Sequence, residues 1–209
     1  GNAICRKFVK DFEKGIILKN FSFPIEFEKN LSKIYGKEVV SNISKIFQSE
    51  CPLDISLKNS SMTEKYYNVF NAIKLSDQSL RLSRNIQISS LPGFKEGDWW
   101  VQDFSSSLPI RLLGEIKGKS VLDLCSAPGG KTMQLCSLGA NVTSVDFSKR
   151  RLEKLKENLK RTNLEAKIIN ENILNLKLEK LFDIVLVDAP CSSSGTLRKN
   201  VDLPYLNFK

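Results

Sequence analysis

The chain has 209 residues, a formal net charge of +9, five cysteines and no histidine. The absence of histidine argues against a tetrahedral zinc site and a Ser-His-Asp hydrolase, and an odd number of cysteines without a Cys-x-x-Cys pair argues against a disulfide scaffold. No apolar run approaches the roughly 20 residues that a membrane span needs, so we expect a cytoplasmic protein that does not bind a membrane. Because histidine is absent, we expect no bound metal ion either. The positive charge favours an anionic partner such as nucleic acid, while a coding bias toward lysine would explain it equally well.

The first part of the chain is predicted to be helical. Apolar residues recur at four-residue intervals near its start, at Ile4, Phe8 and Phe12. No capping signal precedes this pattern, so we expect the chain to begin inside an element. Helical periodicity continues over residues 24–48, where Pro24 opens the pattern and Gly36 interrupts it. We assign residues 1–50 to a helical segment.

Residues 51–110 show a different pattern, in which short strands alternate with helices. The stretch "PLDISLK" predicts a strand, "TEKYYNVFNAIK" a helix, and "SRNIQISSLPGF" a second strand that leads into a Pro-Gly turn. "GDWWVQDFSSSLPIRLLGEI" then passes from strand to helix. Because Trp99 and Trp100 are neighbours on that strand and face opposite ways, we expect at most one of them to be exposed and able to stack on an unpaired base. We expect a small α/β unit here.

Residues 111–209 follow a β-α-β pattern. Four strands are predicted, "SVLDLCS", "NVTSVDFS", "AKIINEN" and "FDIVLVDAP", and helical or linking segments separate them. Strands that alternate with helices favour a parallel, doubly wound sheet. Central strands of such a sheet are normally paired on both sides, yet the chain stops soon after Asp188, so we expect the C-terminal strands of the domain to be missing.

The loop "LCSAPGGKT" after the first of these strands ends like a phosphate-binding P-loop. Two residues argue against phosphate: Pro128 has no backbone N–H to donate, and Cys125 stands where a P-loop has its first glycine. Asp146 ends the next strand about twenty residues on, where a carboxylate can bind the ribose hydroxyls of an adenosine. Gly129 and Gly130 leave room for a small ligand at the start of a helix. S-adenosylmethionine, an adenosine-bearing amino acid without phosphates, fits these demands; the competing interpretation of Asp146 is a helix N-cap.

The stretch "DAPCSSSGTLRK" carries residues suited to pyrimidine chemistry. Carbon 5 of a pyrimidine is a poor nucleophile, and enzymes that alkylate it first add a thiolate to carbon 6. Such an enzyme needs a cysteine beside the base and an acidic group to handle the ring nitrogen and the amine. Asp188 and Cys191 supply both at the carboxyl end of a strand, where open α/β sheets bind their ligands. The competing interpretation of Cys191 is a small apolar core residue.

In the order and the spacing of these motifs, the sequence resembles the RNA 5-methylcytosine methyltransferases. It is most similar to their RsmB (Sun/Fmu) branch, which acts on 16S ribosomal RNA. The matching stretches are "LDLCSAPGGKT", "SVDFSKRRLEKLKENLKR" and "DIVLVDAPCSSSGTLRK", with "LPGFKEGDWWVQD" upstream. The opening "GNAICRKF" resembles the last helix of the branch's N-terminal NusB-like domain, so the likeness runs over nearly the whole chain. The resemblance implies a class I methyltransferase, Rossmann-like α/β fold at 111–209 and an RNA-binding extension at 51–110.

The resemblance also implies roles for individual residues. Asp188 would lie at the methyl-transfer site, Asp146 at the ribose and Glu171 near the adenine, although Asn172 replaces the glycine that usually follows that acid. The residues implied at the methionine end of the cofactor S-adenosylmethionine are Cys125, Ser126, Ala127, Pro128, Gly129, Gly130 and Lys131. The residues implied as RNA contacts are Arg198, Lys199, Gln102 and Asp103.

Two departures from the family pattern bear on activity. In "RKNVD", Asn200 and Val201 replace the His-Pro of the family's Arg-Arg-His-Pro-Asp. The family also uses two cysteines: the one after Ala-Pro assists product release, and one in a Thr-Cys-Ser motif on the following strand is the attacking thiolate. Only the first, Cys191, is present in this sequence.

We therefore expect a monomeric RNA cytosine-5 methyltransferase that acts on 16S ribosomal RNA, as a polypeptide that alone does not turn over. A non-catalytic module that binds RNA or S-adenosylmethionine is the alternative from another functional class. A P-loop NTPase is a more distant one.

Overall fold

The computed structural model describes residues 23–47, 51–82, 87–178, 180–191, 194–200 and 203–205. These residues fall into two compact units. One comprises the described parts of residues 1–51 and 192–209, and the other comprises the described parts of residues 52–191. The helix predicted around Ile4, Phe8 and Phe12 lies outside the described residues. The predicted division at residues 50 and 110 stays a prediction.

The first unit contains two consecutive helices, α1 (Ile25–Tyr35) and α2 (Lys37–Phe47). Pro24 precedes α1, where its fixed φ and missing N–H do no harm. Gly36 separates the helices with a φ of 82° and donates its N–H to the Ser32 carbonyl at 3.0 Å. The predicted start at Pro24 and the interruption at Gly36 are thus confirmed. In the part of the chain that the structure describes, no helix is long and apolar enough to cross a membrane.

A four-stranded antiparallel sheet opens the second unit, and we call it the small sheet. It consists of β1 (Leu53–Leu57), β2 (Ile73–Ser76), β3 (Ser79–Leu82) and β4 (Trp99–Val101) in the order β2-β3-β1-β4. Helix α3 (Thr63–Phe70) covers it, with Tyr66 buried against the apolar face. The predicted strand at β1, helix at α3 and strand at Trp99 are confirmed.

The strand predicted from "SRNIQISSLPGF" is wrong over residues 87–94, and residues 83–86 lie outside the described residues. The described part of this stretch forms a 3₁₀ turn at Ile88–Ser90 followed by successive turns. Ser90 donates its hydroxyl to the Gln87 carbonyl at 2.7 Å, a local bond that competes with strand pairing. The sheet instead uses the hairpin of β2 and β3, which the sequence analysis missed because its turn, Asp77-Gln78, lacks the glycine typical of two-residue hairpins.

The second sheet of this unit, which we call the parallel sheet, has the predicted topology. Its strands are β5 (Ser120–Leu124), β6 (Asn141–Asp146), β7 (Lys167–Asn170) and β8 (Ile184–Val187), all parallel, in the order β7-β6-β5-β8. Its helices are α4 (Phe104–Arg111), α5 (Gly130–Ser137) and α6 (Lys149–Thr162). Because the strands are parallel, their carboxyl ends meet at one edge, and the predicted site residues Asp146 and Asp188 both lie there.

Trp99 and Trp100 tie the small sheet to the parallel sheet. Both are buried, at 0% and 2% exposure, which agrees with the expectation that at most one is exposed and leaves neither accessible for stacking on an unpaired base. Trp99 belongs to the core of the small sheet. Trp100 points the other way and packs with Ala127, Met133 and Leu155 of the parallel-sheet region. Each face of β4 therefore fills a different core.

Arg161, near the end of α6, makes a second connection between the two sheets. Its Nη1 donates to the Phe94 carbonyl at 2.6 Å and to the Trp99 carbonyl at 3.0 Å. The guanidinium also lies 4.1 Å from the centroid of the Phe94 ring. Gly97 approaches the same turn of α6 so closely that an added Cβ would lie 1.9 Å from the Arg161 carbonyl oxygen.

We predict that Arg161→Met lowers the free energy of unfolding by about 2–4 kcal/mol, because two carbonyls lose a charged hydrogen-bond donor. The matched control is Arg150→Met on the exposed face of the same helix, which should change stability by no more than about 0.5 kcal/mol. Urea denaturation of both variants measures the difference. Equal stability of the two variants would contradict the assigned role of Arg161.

Candidate cofactor and active site

The loop between β5 and α5 has a conformation that its residue types explain. Gly129 adopts a φ of 106° just before α5 begins, and a Cβ there would lie 2.2 Å from Leu155 Cδ1. Only glycine satisfies both conditions. Next to it, an added Cβ on Gly130 would find its nearest atom, Gln102 Cγ, at 4.0 Å, which is ordinary contact. The first glycine therefore shapes the loop, and the second leaves space at the helix start.

The backbone N–H groups of this loop are used inside the protein. Ser126 donates its N–H to the Val145 carbonyl at 3.1 Å, and Ala127 donates to Asp146 Oδ2 at 3.1 Å. Pro128, the next residue, has no N–H. Three consecutive positions thus offer no N–H to a phosphate, whereas a P-loop needs successive N–H groups that point at its ligand. The geometry favours a ligand without phosphates.

Asp146 holds this loop in place. Its side chain is 1% exposed, and its second oxygen, Oδ1, accepts the Ser148 N–H at 2.9 Å. The competing interpretation of Asp146 as the helix N-cap is wrong, since Ser148 caps α6 with its own hydroxyl. Arg151 covers the carboxylate: its Nη1 lies 3.7 Å from Asp146 Oδ2, and its Nη2 donates to the Ala127 carbonyl. Arg151 was missed by the sequence analysis.

A buried polar cluster lies behind the loop. Thr132 donates its hydroxyl to Asp123 Oδ2 at 2.6 Å and lies 3.2 Å from the Ser144 hydroxyl. Asp123 is 1% exposed, and its other oxygen, Oδ1, has no hydrogen-bond partner among the described residues. Burial raises the pKa of Asp123 from 3.8 to about 6, while the hydrogen bond from Thr132 opposes that change. An aspartate inside an apolar strand, as in "VLDL", was the sequence signal for this cluster.

Lys131 and Asp188 form an ion pair at the carboxyl edge of the parallel sheet. Lys131 Nζ lies 2.6 Å from Asp188 Oδ2, and the lysine side chain is 16% exposed while that of Asp188 is 57% exposed. The contact joins the first turn of α5 to the end of β8. Cys191 follows Asp188 by three residues and is exposed, so the competing interpretation of Cys191 as a buried core residue fails.

The remaining predicted site residues are placed as follows. Glu171 is exposed after β7, and its carboxylate accepts the Asn172 N–H at 2.8 Å. Asp103 is half-buried just before α4. Arg198 and Lys199 belong to the other compact unit. The roles predicted for these four residues stay predictions.

Gln102 lies inside the protein. It is 6% exposed; its Oε1 accepts from Trp100 Nε1 at 2.9 Å, and its Nε2 donates to Gln134 Oε1 at 2.8 Å. Gln134 in turn donates to the Ser107 carbonyl at 3.0 Å. Both ends of the Gln102 amide are thus engaged internally, linking the small sheet to α5. Its predicted contact with RNA stays a prediction, and this geometry does not favour it.

Comparisons with known proteins match the part of the chain that contains this site. Residues 111–207 match the family model of 16S rRNA methyltransferase RsmB/F. Ribosomal RNA small subunit methyltransferase B of Photorhabdus laumondii is 36% identical over 136 residues, which are 63% of this chain and 32% of that protein. This chain thus spans about a third of the length of that curated relative. The sequence likeness is narrower than the nearly full-length likeness expected above.

Solved structures resemble a larger part of the chain. The crystal structure of PH0851 has a TM-score of 0.77 and 25% identity, and the match covers 88% of this chain and 45% of that one. A methyltransferase homolog protein from Pyrococcus horikoshii has a TM-score of 0.63 and 26% identity, and covers 78% of this chain and 58% of that one. The expected resemblance to the RsmB/F family and the Rossmann-like methyltransferase fold are confirmed.

We predict that the Asp123 carboxyl makes stability depend on pH. An unfolded Asp123 loses its proton near pH 3.8, whereas the folded one keeps it to about pH 6. The folded state binds more protons between these values, so the free energy of unfolding falls as pH rises through this window and is level above it. The isosteric Asp123→Asn does not titrate. Relative to that variant, the wild type should lose about 2 kcal/mol between pH 4 and pH 6.

Chemical denaturation of both proteins across this pH range measures the difference. A constant difference in unfolding free energy between them would show that Asp123 ionises normally in the folded state.

Proposed function

We propose that residues 52–191 hold S-adenosylmethionine and a cytosine of RNA side by side, for methylation of carbon 5 of that cytosine. The observation that carries the proposal is the ion pair of Lys131 and Asp188, since it joins the glycine loop to the Asp-Ala-Pro-Cys segment. The match of residues 111–207 to the RsmB/F family supports 16S ribosomal RNA as the substrate. We propose further that the protein is cytoplasmic and monomeric.

The residues around the loop fit the cofactor. Residues 126–128 offer no N–H to a phosphate, and Gly130 leaves space beside the backbone. Asp123 Oδ1 is a buried oxygen without a partner among the described residues, and such an acceptor near the loop suits a ligand with an amino group. Asp146 would bind the ribose; because Arg151 lies over its carboxylate, that side chain would have to move aside. When bound, the cofactor supplies an electrophilic methyl group.

Asp188 and Lys131 would handle the base. An exposed carboxylate can accept a hydrogen bond from the exocyclic amine of cytosine, and the ion pair with the lysine ammonium orients that carboxylate. Cys191 lies three residues from Asp188, where its thiol would assist product release. To reach this site, the target base would have to leave its stack.

The polypeptide has no cysteine in the sequence context of the family's attacking thiolate. None of its five cysteines stands in a Thr-Cys-Ser motif. Burial raises the pKa of the Cys125 thiol, and it raises the pKa of the Cys136 thiol to about 12. Both thiols therefore stay protonated at neutral pH and are poor nucleophiles. We propose that the covalent cysteine–base adduct requires a thiol that these 209 residues do not supply.

We predict that the chain binds S-adenosylhomocysteine and does not bind ATP, as measured by titration calorimetry. Asp146→Asn should weaken S-adenosylhomocysteine binding about tenfold or more, because an amide cannot replace both oxygens of the carboxylate. Asp183→Asn is the matched control: Asp183 also accepts a backbone N–H, from Ser120 at 2.7 Å, but at the opposite edge of the sheet. Its affinity should equal that of the wild type.

Binding of ATP alone would overturn the proposed cofactor. An Asp146→Asn variant with unchanged affinity would remove Asp146 from the ribose site and leave the rest of the proposal standing.

We predict further that the purified chain, supplied with S-adenosylmethionine and 16S ribosomal RNA, transfers no methyl group to carbon 5 of cytosine. Transfer of a radioactive methyl group, followed by nucleoside analysis, measures this outcome. A calorimetric signal for S-adenosylhomocysteine on the same preparation shows that the protein is folded. Production of 5-methylcytidine would contradict the claim that the attacking thiol is absent.

A further inference from the structure

A cavity of about 310 Å³ lies between α4 and the carboxyl end of β8. Its volume is at the lower end of the range for small-ligand pockets. From α4 it is lined by Ser105, Ser106 and Pro109, and the ion pair of Lys131 and Asp188 forms part of its wall. Leu186 and Val187 complete the lining. The cavity thus combines apolar surface with a few polar groups, which suits a flat heteroaromatic ring.

The two serines of this lining differ from their neighbour. Ser107 is fully buried, donates its hydroxyl to the Phe104 carbonyl at 2.7 Å and accepts a bond from Arg111 Nε at 3.2 Å. Ser105 is exposed and Ser106 half-buried, and neither hydroxyl has a hydrogen-bond partner among the described residues. Serine hydroxyls in helices commonly bond back to the preceding turn, as that of Ser107 does. Among the described residues, the hydroxyls of Ser105 and Ser106 make no such bond, and they can therefore donate to a ligand in the cavity.

We propose that Ser105 and Ser106 bind the polar edge of the flipped cytosine, a role that rests on the proposed methyltransferase function. Asp188 Oδ2 is engaged by Lys131, while Oδ1 has no partner in the described part of the chain and can accept from the base amine. The ring carbonyl and ring nitrogen of cytosine are acceptors and need donors, which two hydroxyls supply. Pro109 and Leu186 provide apolar surface for the faces of the ring.

The lining favours a base over a phosphate group. The charges of Lys131 and Asp188 offset each other within their ion pair and the serine hydroxyls are neutral, so the lining offers a phosphate no net positive charge. The cavity is also distinct from the ribose end of the cofactor site, since Asp146 and Cys125 do not line it. The serines are thus assigned to the substrate, and their loss should leave cofactor binding intact.

Fluorescence anisotropy with two short single-stranded oligoribonucleotides tests the proposal, in the presence of S-adenosylhomocysteine. One oligonucleotide carries a single cytidine, and the other carries an abasic residue at that position. Ser105→Ala and Ser106→Ala should each weaken binding of the cytidine oligonucleotide about three- to tenfold, the value of a neutral hydrogen bond. Neither should change binding of the abasic one. Ser41→Ala, at an exposed serine of α2 outside both the cavity and the predicted RNA-binding extension, should change neither affinity.

Two further measurements separate a contact from a change of fold. Ser105→Thr and Ser106→Thr keep the hydroxyl and should retain most of the wild-type affinity, and all variants should keep the wild-type melting temperature and affinity for S-adenosylhomocysteine. Alanine variants that bind both oligonucleotides as the wild type does would overturn the serine contacts alone. Equal weakening on both oligonucleotides would assign the serines to the RNA backbone and also overturn the proposal. A wild type that does not distinguish the two oligonucleotides would overturn this proposal together with the proposed substrate.

Discussion

The buried carboxylate of Asp146 is the constraint on which the site depends. It accepts one N–H from the loop after β5 and another from the residue that caps α6. A charged group with 1% exposure is stable only because both oxygens are bonded. These bonds fix the loop, the loop fixes the start of α5, and the start of α5 places Lys131 against Asp188. The carboxylates at the ends of β6 and β8, the strands on either side of β5, are therefore linked through this loop.

The small sheet is coupled to this loop through β4. Trp99 fills one core and Trp100 the other, because neighbouring strand residues face opposite sides. Gln102 then bonds to Gln134 on α5. The small sheet is thus in direct contact with the helix that begins at the glycine loop. The buried hydrogen bond between Gln102 and Gln134 requires a specific position of α5, because an unpaired side-chain amide in the interior costs free energy.

Sequence patterns predicted elements well where local and tertiary preferences agreed. The four parallel strands and their helices read clearly because buried strands and amphipathic helices have different periods. The hairpin of β2 and β3 was missed because its turn has no glycine. The stretch before Trp99 was predicted as a strand although Ser90 bonds locally and Pro92 and Gly93 follow. Gln102 was predicted as an RNA contact because sequence alone does not distinguish a buried amide from an exposed one.

The sequence by itself determined the fold class, the glycine loop, the aspartates that end two strands and the lack of a second cysteine in the family's context. These features follow from residue type and from spacing along the chain, so they do not depend on where the segments lie in the folded protein. Only the tertiary structure decided which of these groups meet. It buried both tryptophans, covered Asp146 with Arg151, paired Lys131 with Asp188 and left two serine hydroxyls facing a cavity. The ion pair of Lys131 with Asp188 and the cavity lining join residues far apart in sequence, and packing, which no single segment encodes, sets their distances and exposure.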